Sequence, residues 1–155
     1  EQLFNLTDLG FELADVRLDL HDLHTEIERG VSGGWLRHLG FVDDELLPAI
    51  YAGAALFIYP SIYEGFGLPP VEAMAAGVPV IVANHSCLPE VCGDAARYVD
   101  PDDADAFTST IEASLLDPTW RGKAAARGVE RARQFTWERC VDRTIGVYRK
   151  VINSV

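Results

Sequence analysis

Two acids, Glu64 and Glu72, stand with seven residues between them in the segment SIYEGFGLPPVEAMAAG, Ser61 to Gly77. Between them lie Gly65, Gly67 and the pair Pro69–Pro70. Residues of these types at this spacing can bind a particular chemistry. Carboxylates accept charge-assisted hydrogen bonds from hydroxyls, which are the strong ones. The start of a helix offers unpaired N–H groups and a partial charge of about +0.5, both suited to an anion. Glycines let the main chain approach a ligand that a Cβ would obstruct. A molecule with sugar hydroxyls and a diphosphate would use all three features. Glu64, just before the loop, is then placed to reach hexose hydroxyls, and Glu72, in the following helix, to reach a ribose.

Taken singly, each residue has a plainer explanation. Glu72 near a helix start gains about 0.3–1 kcal/mol from the helix dipole with no ligand at all. Glu64 is a loop acid, and Gly65 and Gly67 are ordinary turn residues. The joint pattern discriminates more than any member does.

The surrounding elements give the pattern its geometry. Ala55–Tyr59 is a continuous apolar run, expected to be a strand covered on both faces. Pro69 and Pro70 suit a first helical turn, and Gly77 suits that helix's end. Val78–Ala83 is the next buried strand, so residues 55–83 read as a βαβ unit with the acids at a strand's carboxyl end, where open α/β sheets bind ligands. Upstream, Trp35 to Phe41 reads as a short strand. Asp43 or Asp44 is a helix cap before Leu46, Leu47, Ile50 and Tyr51, with Gly53 as the stop. Downstream, Arg97–Val99 is a last strand. Three helices follow: one with Ala104, Phe107, Ile111 and Leu115 on a face, one over residues 118–133, and one capped by Thr136 that aligns Val141, Ile145, Tyr148 and Ile152. The expected class is α/β, a Rossmann-like parallel sheet flanked by helices, over residues 34–155. Residues 1–33 are a poorly matched acidic segment, with an amphipathic helix over 11–29 and no strand before it.

Bulk properties narrow the function. With 155 residues, 48% hydrophobic and 24% charged, the chain can bury one full core. Its net charge of −11 argues against a nucleic-acid partner, because phosphate binding needs a basic face. No apolar run reaches the roughly 20 residues that span a bilayer. Three cysteines, Cys87, Cys92 and Cys140, without metal-like pairing fit reduced thiols in a cytoplasmic protein. His21 and His24 are better read as a solvated helix face than as metal ligands, and no metal is expected. His85 keeps a lesser claim through its position near the loop. Ser61 and Ser86 lack the elbow that acyl transfer needs. Trp120, Trp137 and Tyr148 read as packing residues.

The stretch EGFGLPPVE resembles the E-x7-E motif of retaining GT-B glycosyltransferases of the family-4, or group 1, type. The resemblance runs from about residue 36 to residue 152, through HLGFVDDELLPAIYAGAALFIYPSIYEGFGLPPVEAMAAGVPVIVANHSCLPEVCGDAARYVDPDDADAF and FTWERCVDRTIGVYRKVI. It implies the C-terminal, donor-binding domain of such an enzyme. By that resemblance Glu64 contacts the transferred sugar. The N–H groups of Gly65, Phe66, Gly67 and Leu68 face the sugar and diphosphate, and Glu72 holds the ribose. Gly40, Phe41 and Val42 match a loop beside the nucleotide base, and residues 84–90 match a segment near the donor. The implied reaction moves a hexose of mannose or glucose type from a nucleotide-diphospho-sugar to a glycan, lipid-linked or small-molecule acceptor, with front-face departure of the diphosphate. In that reaction Glu64 orients and stabilises, and does not act as a nucleophile. The nucleotide-sugar is a substrate, and no cofactor is expected.

The chain also departs from the family. The family's Arg and Lys that neutralise the diphosphate find no matching pair before Arg37. The acceptor-binding N-terminal domain, with its catalytic His, has no counterpart here. The expectation is a domain incomplete at its N-terminal edge and inactive by itself, with acceptor and any peripheral membrane contact supplied by the missing half. Two other readings stay open: a non-catalytic nucleotide-sugar module, and a GT-B nucleotide-sugar epimerase.

Overall fold

The structure, a computed structural model, describes residues 20–154. They fall into two compact units, one ending at Leu47 and the other beginning at Pro48. Residues 11–19 of the expected early helix lie outside the described residues. Within the first unit, α1 (Leu20–Ser32) ends in a glycine reversal. Gly33 N–H donates to Arg29 O at 2.9 Å, Gly34 has a φ of 73°, and Leu36 N–H returns to Gly30 O at 3.1 Å. The strand expected over Trp35–Phe41 does not form: residues 36–40 join no ladder. Leu36 spends its N–H on the helix end, so the segment begins as a reversal.

The second unit alternates strand and helix. After α2 (Leu47–Ala52) come β1 (Phe57–Tyr59), α3 (Leu68–Ala75), β2 (Val80–Ala83), α4 (Leu88–Cys92), a single 3-10 turn and β3 (Ala96–Val99). Three helices follow, α5 (Ala104–Leu115), α6 (Pro118–Ala132) and α7 (Trp137–Ile152). The three strands are parallel in the order β1-β2-β3, with Phe57 opposite Val80 and Ile81 opposite Arg97. This is the expected Rossmann-like α/β arrangement, a parallel sheet flanked by helices. The central strand is the β-branched run Val80-Ile81-Val82-Ala83, buried throughout. β1 differs from expectation, because Ile58 is 38% exposed. With β2 on one side only, β1 is an edge of the sheet in this unit.

Helix α3 closes as its sequence predicts. Gly77, at φ 75°, donates to Met74 O at 3.0 Å, and Val78 N–H reaches Ala73 O at 3.0 Å. These paired bonds satisfy carbonyls that the helix end would otherwise orphan. The helix buries Pro70, Val71, Ala73 and Met74. Met74, Ile81 and Leu88 are fully buried, each contributing about 1.5–3 kcal/mol of transfer free energy. Gly128 of α6 lets that helix come close: a Cβ there would stand 3.2 Å from Met74 Cγ. A second cluster joins Ile81, Val99 and Phe107, with Leu56, Ile111 and Trp120 packed against it. Arg97 of β3 lies 3.9 Å over the Trp120 ring and donates to Ser114 Oγ at 2.5 Å.

The helix starts follow side-chain capping. Asp103 accepts from Ala106 N–H at 2.8 Å, Asp117 from Trp120 N–H at 2.8 Å, and Thr136 from Arg139 N–H at 3.3 Å. Helix α7 carries the expected stripe of Val141, Ile145, Tyr148 and Ile152, yet none of its residues is buried. Trp137 and Tyr148, read as packing residues, are 81% and 64% exposed. All three cysteines are free thiols, and burial pushes the Cys92 thiol up to about 11.

Candidate functional site

The chain leaves the carboxyl end of β1 at Tyr59, loops through residues 60–67 and enters α3 at Leu68. Glu64 is half-buried at the middle of this loop. One of its carboxylate oxygens, Oε1, accepts hydrogen bonds from the Tyr59 hydroxyl and, at 2.8 Å, from Ser61 Oγ. Oε2 has no such partner among the described residues. The loop's first residues therefore hold one oxygen and leave the other available. Burial, and next the hydrogen bond to Glu64, push the Tyr59 hydroxyl well above its ordinary range, so it remains a donor. Replacing Tyr59 by Phe would remove one of the two donors to Oε1 and leave Ser61 to hold the carboxylate.

Gly67 has a structural reason to be glycine. It caps α3 at φ 85° and ψ 58°, the left-handed region, and an added Cβ would lie 2.8 Å from Leu88 Cδ2. Gly65 is different. Its backbone is not left-handed, and a Cβ there would meet nothing within 4 Å. Room for a ligand, and no backbone constraint, is what glycine supplies at 65. Phe66 turns its ring edge-on to Phe135, 5.4 Å between centroids, so it offers the loop its main chain. Leu68 is exposed at the helix start. Among the described residues, the N–H groups of Gly65, Phe66, Gly67 and Leu68 donate to no protein acceptor. Pro69 and Pro70 remove the next two donors. The run of available N–H groups therefore lies in the loop and its first helical residue.

Glu72 sits beyond the first turn of α3, which contains no acid. The dipole explanation for it weakens there, because that effect fades within the first turn. Its Oε2 accepts from the Tyr51 hydroxyl at 3.1 Å. Tyr51 is 8% exposed on α2, packed edge-on to Phe57, which stacks in turn on Tyr59. Burial first, then the Glu72 charge, push the Tyr51 hydroxyl up to about 12. The folded chain keeps a proton that the unfolded chain loses above its ordinary value of 10.0, so stability declines as pH rises from 10 toward 12.

A second loop approaches from β2. Ser86 Oγ accepts from Glu64 N–H at 3.1 Å and donates to Glu64 O at 2.8 Å. Cys87 Sγ donates to the same carbonyl at 3.4 Å. His85 Nδ1 lies 2.6 Å from Asn84 Oδ1. Of the expected site residues, Glu64, Gly65, Phe66, Gly67, Leu68 and Glu72 are contiguous here. Gly40, Phe41 and Val42 belong to the other unit, where Gly40 has φ 62° and Phe41 is 60% exposed. Sequence reasoning missed Tyr51, Tyr59 and Ser86 as partners of the two acids. The only signal for Tyr59 was a hydroxyl five residues before Glu64.

Residues 27–135 match the family described as glycosyl transferases group 1. The chain is 54% identical over 123 residues to O-antigen chain mannosyltransferase B of Escherichia coli, covering 79% of this chain and 32% of that protein. It is 39% identical over 118 residues to an MMP alpha-(1->4)-mannosyltransferase of Mycolicibacterium hassiacum, covering 74% and 29% respectively. Sucrose-phosphate synthase from Thermosynechococcus elongatus superposes at TM-score 0.76 with 30% identity, over 87% of this chain and 35% of that one. The C-terminal domain of a glycosyl transferase group 1 family protein from Francisella tularensis superposes at 0.62 with 28% identity, over 73% and 62%. The chain spans about a third of the length of these curated relatives. A parallel sheet with this loop after its first strand is the C-terminal, Rossmann-like domain of a GT-B protein. The chain belongs to the glycosyl transferases group 1 family.

Proposed function

We propose that this chain is the donor-binding part of a retaining hexosyltransferase that moves a mannose- or glucose-type sugar from a nucleotide-diphospho-sugar to a glycan, lipid-linked or small-molecule acceptor. The observation that carries the reading is the arrangement of one loop among the described residues: Glu64 held through a single oxygen, N–H groups at 65–68 without protein acceptors among those residues, and Glu72 on the helix that follows. The mannosyltransferase relatives favour mannose as the hexose.

In this reading Glu64 Oε2 accepts from hexose hydroxyls and sets the anomeric carbon beside its leaving diphosphate. The N–H groups of Gly65, Phe66, Gly67 and Leu68 meet sugar and diphosphate oxygens, and stabilise charge as the bond breaks. Glu72 accepts from the ribose hydroxyls, kept in place by Tyr51. Departure of the diphosphate and attack of the acceptor hydroxyl occur on one face, which retains the anomeric configuration. The acceptor and the cations that neutralise the diphosphate come from parts of the enzyme outside this stretch, so the stretch alone is inactive. A cytoplasmic location is part of the same reading, supported by three cysteines that form no disulfide; no helix among the described residues is long and apolar enough to cross a membrane.

Calorimetric titration of the full-length protein with UDP-, GDP- and ADP-sugars tests the proposal. One base should bind clearly better than the others. Glu72→Ala should weaken that affinity roughly ten- to a hundredfold, the worth of charge-assisted bonds to a ribose. Indistinguishable weak binding across the panel, or an unchanged Glu72→Ala affinity, would overturn it.

A further inference from the structure

We propose that Ser86 is a positioning residue for Glu64, holding the main chain of the sugar-contacting acid from the neighbouring loop. The proposal rests on the reading of Glu64 as the residue that meets the transferred sugar. Two independent observations carry it.

The first is the bonding. A single hydroxyl accepts from Glu64 N–H at 3.1 Å and donates to Glu64 O at 2.8 Å. Both main-chain polar groups of one loop residue are thus satisfied by one side-chain oxygen from a residue 22 positions away. Ordinary loop residues meet such needs with nearby turns or water. Here the Tyr59 and Ser61 hydroxyls fix the carboxylate end of Glu64, and Ser86 fixes the other end. The side chain is held between them.

The second is the backbone of Ser86 itself. Among the described residues it is the one non-glycine with positive φ, at 56°. An L-residue takes that conformation at a cost, and such outliers persist where the surroundings over-determine them. Glycine would adopt the same turn without strain, but it has no hydroxyl.

The loop that carries Ser86 is anchored at its start, and the helix α4 that follows it is held in turn. Asn84 N–H donates to Val99 O of β3 at 2.9 Å, and Arg131 Nε of α6 donates to Val91 O at 2.8 Å. Two residues after Ser86, the Leu88 side chain fills the space beside Gly67. The β2 loop therefore touches the β1 loop at Glu64 and again at the cap of α3. It sets the acid relative to the N–H groups at 65–68, and misplacement of a reacting group by about 1 Å can cost about a hundredfold in rate.

A merely structural Ser86 and a positioning Ser86 differ in what their loss does to kcat alone. In the full-length enzyme, Ser86→Ala and Ser86→Gly should each lower kcat by roughly ten- to a hundredfold. The affinity for bare UDP, GDP or ADP, whichever binds, should stay within about twofold, because Glu72 and the helix start are untouched. Ser86→Gly removes the strain along with the hydroxyl, so it also guards against a misfolded Ala variant. A Ser86→Gly enzyme with the parent kcat overturns the proposal, as does a loss of nucleotide affinity in step with kcat. A parent enzyme that turns over while Ser86→Gly is unaffected sinks the role of Ser86 alone. A parent that neither binds donor nor transfers sugar sinks the glycosyl-transfer reading beneath it.

Discussion

Glu64→Gln should lower the transfer rate by about two to three orders of magnitude, the usual cost of removing one preorganised electrostatic group from a reacting centre. The substitution keeps the size of the side chain. Its carbonyl oxygen can still accept from Tyr59 and from Ser61, whose Oγ stands 2.8 Å from Oε1 in the parent. The main-chain bonds to Ser86 do not involve the carboxylate at all. Fold and loop position should therefore survive, and thermal unfolding should move by only a degree or two. What changes is the second carboxylate position, where an acceptor with negative charge becomes an amide donor. A sugar hydroxyl that donated to Oε2 would face an N–H group, and charge developing as the diphosphate departs would lose its compensation. Nucleotide affinity should be little altered, since the proposed ribose and diphosphate contacts lie at Glu72 and the N–H groups. Steady-state kinetics beside titration with the bare nucleotide separate the two effects. A Glu64→Gln enzyme within threefold of the parent kcat would remove Glu64 from the reaction.

How far the sequence disclosed this site depends on whether the relevant signal was local. The β2 run of Val80 to Ala83 and the Gly77 stop were readable because continuous β-branched burial and a left-handed helix end leave local signatures. The same holds for Thr136, whose side chain caps α7 as expected. Glu64 and Glu72 were readable only jointly, through the glycine loop between them. Their partners were not. Tyr51 reaches Glu72 across 21 positions and Ser86 reaches Glu64 across 22, and no periodicity encodes such a pairing. Ser61 and Ser86 lack the local elbow of an acyl-transfer serine, and their hydroxyls serve Glu64 as hydrogen-bond partners. The Trp35–Phe41 strand failed for a similar reason. Its alternation was locally plausible, but a strand exists only where a ladder forms, and Leu36 is committed to the end of α1. Ile58 was expected to be covered, yet coverage of an edge strand depends on what lies beside the sheet, which a single run of apolar residues does not state.

The two glycines of the loop should differ in stability under the same small change. At Gly67, alanine meets a left-handed backbone worth roughly 1–2 kcal/mol against it. Its Cβ would also stand 2.8 Å from Leu88 Cδ2, on a side chain that is fully buried and has little room to turn away. Overpacking of that kind adds about 1–3 kcal/mol. Gly67→Ala should therefore lower Tm by roughly 10 °C. It should also weaken nucleotide binding, because the cap that aims the N–H groups at 66–68 shifts with it. At Gly65, alanine enters open space with no left-handed backbone to strain, so Tm should be unchanged. If that open space is where the donor's sugar and diphosphate lie, the methyl group occupies it. Gly65→Ala should then lose roughly tenfold or more in donor affinity while the protein remains as stable as the parent. Differential scanning calorimetry and donor titration on both variants give four numbers. A Gly67→Ala protein with parent Tm would contradict the packing argument at Leu88. A Gly65→Ala protein that binds donor like the parent would contradict the location of the ligand. Stability lost at 67 and affinity lost at 65 together would distinguish a loop built to bind from one built only to turn.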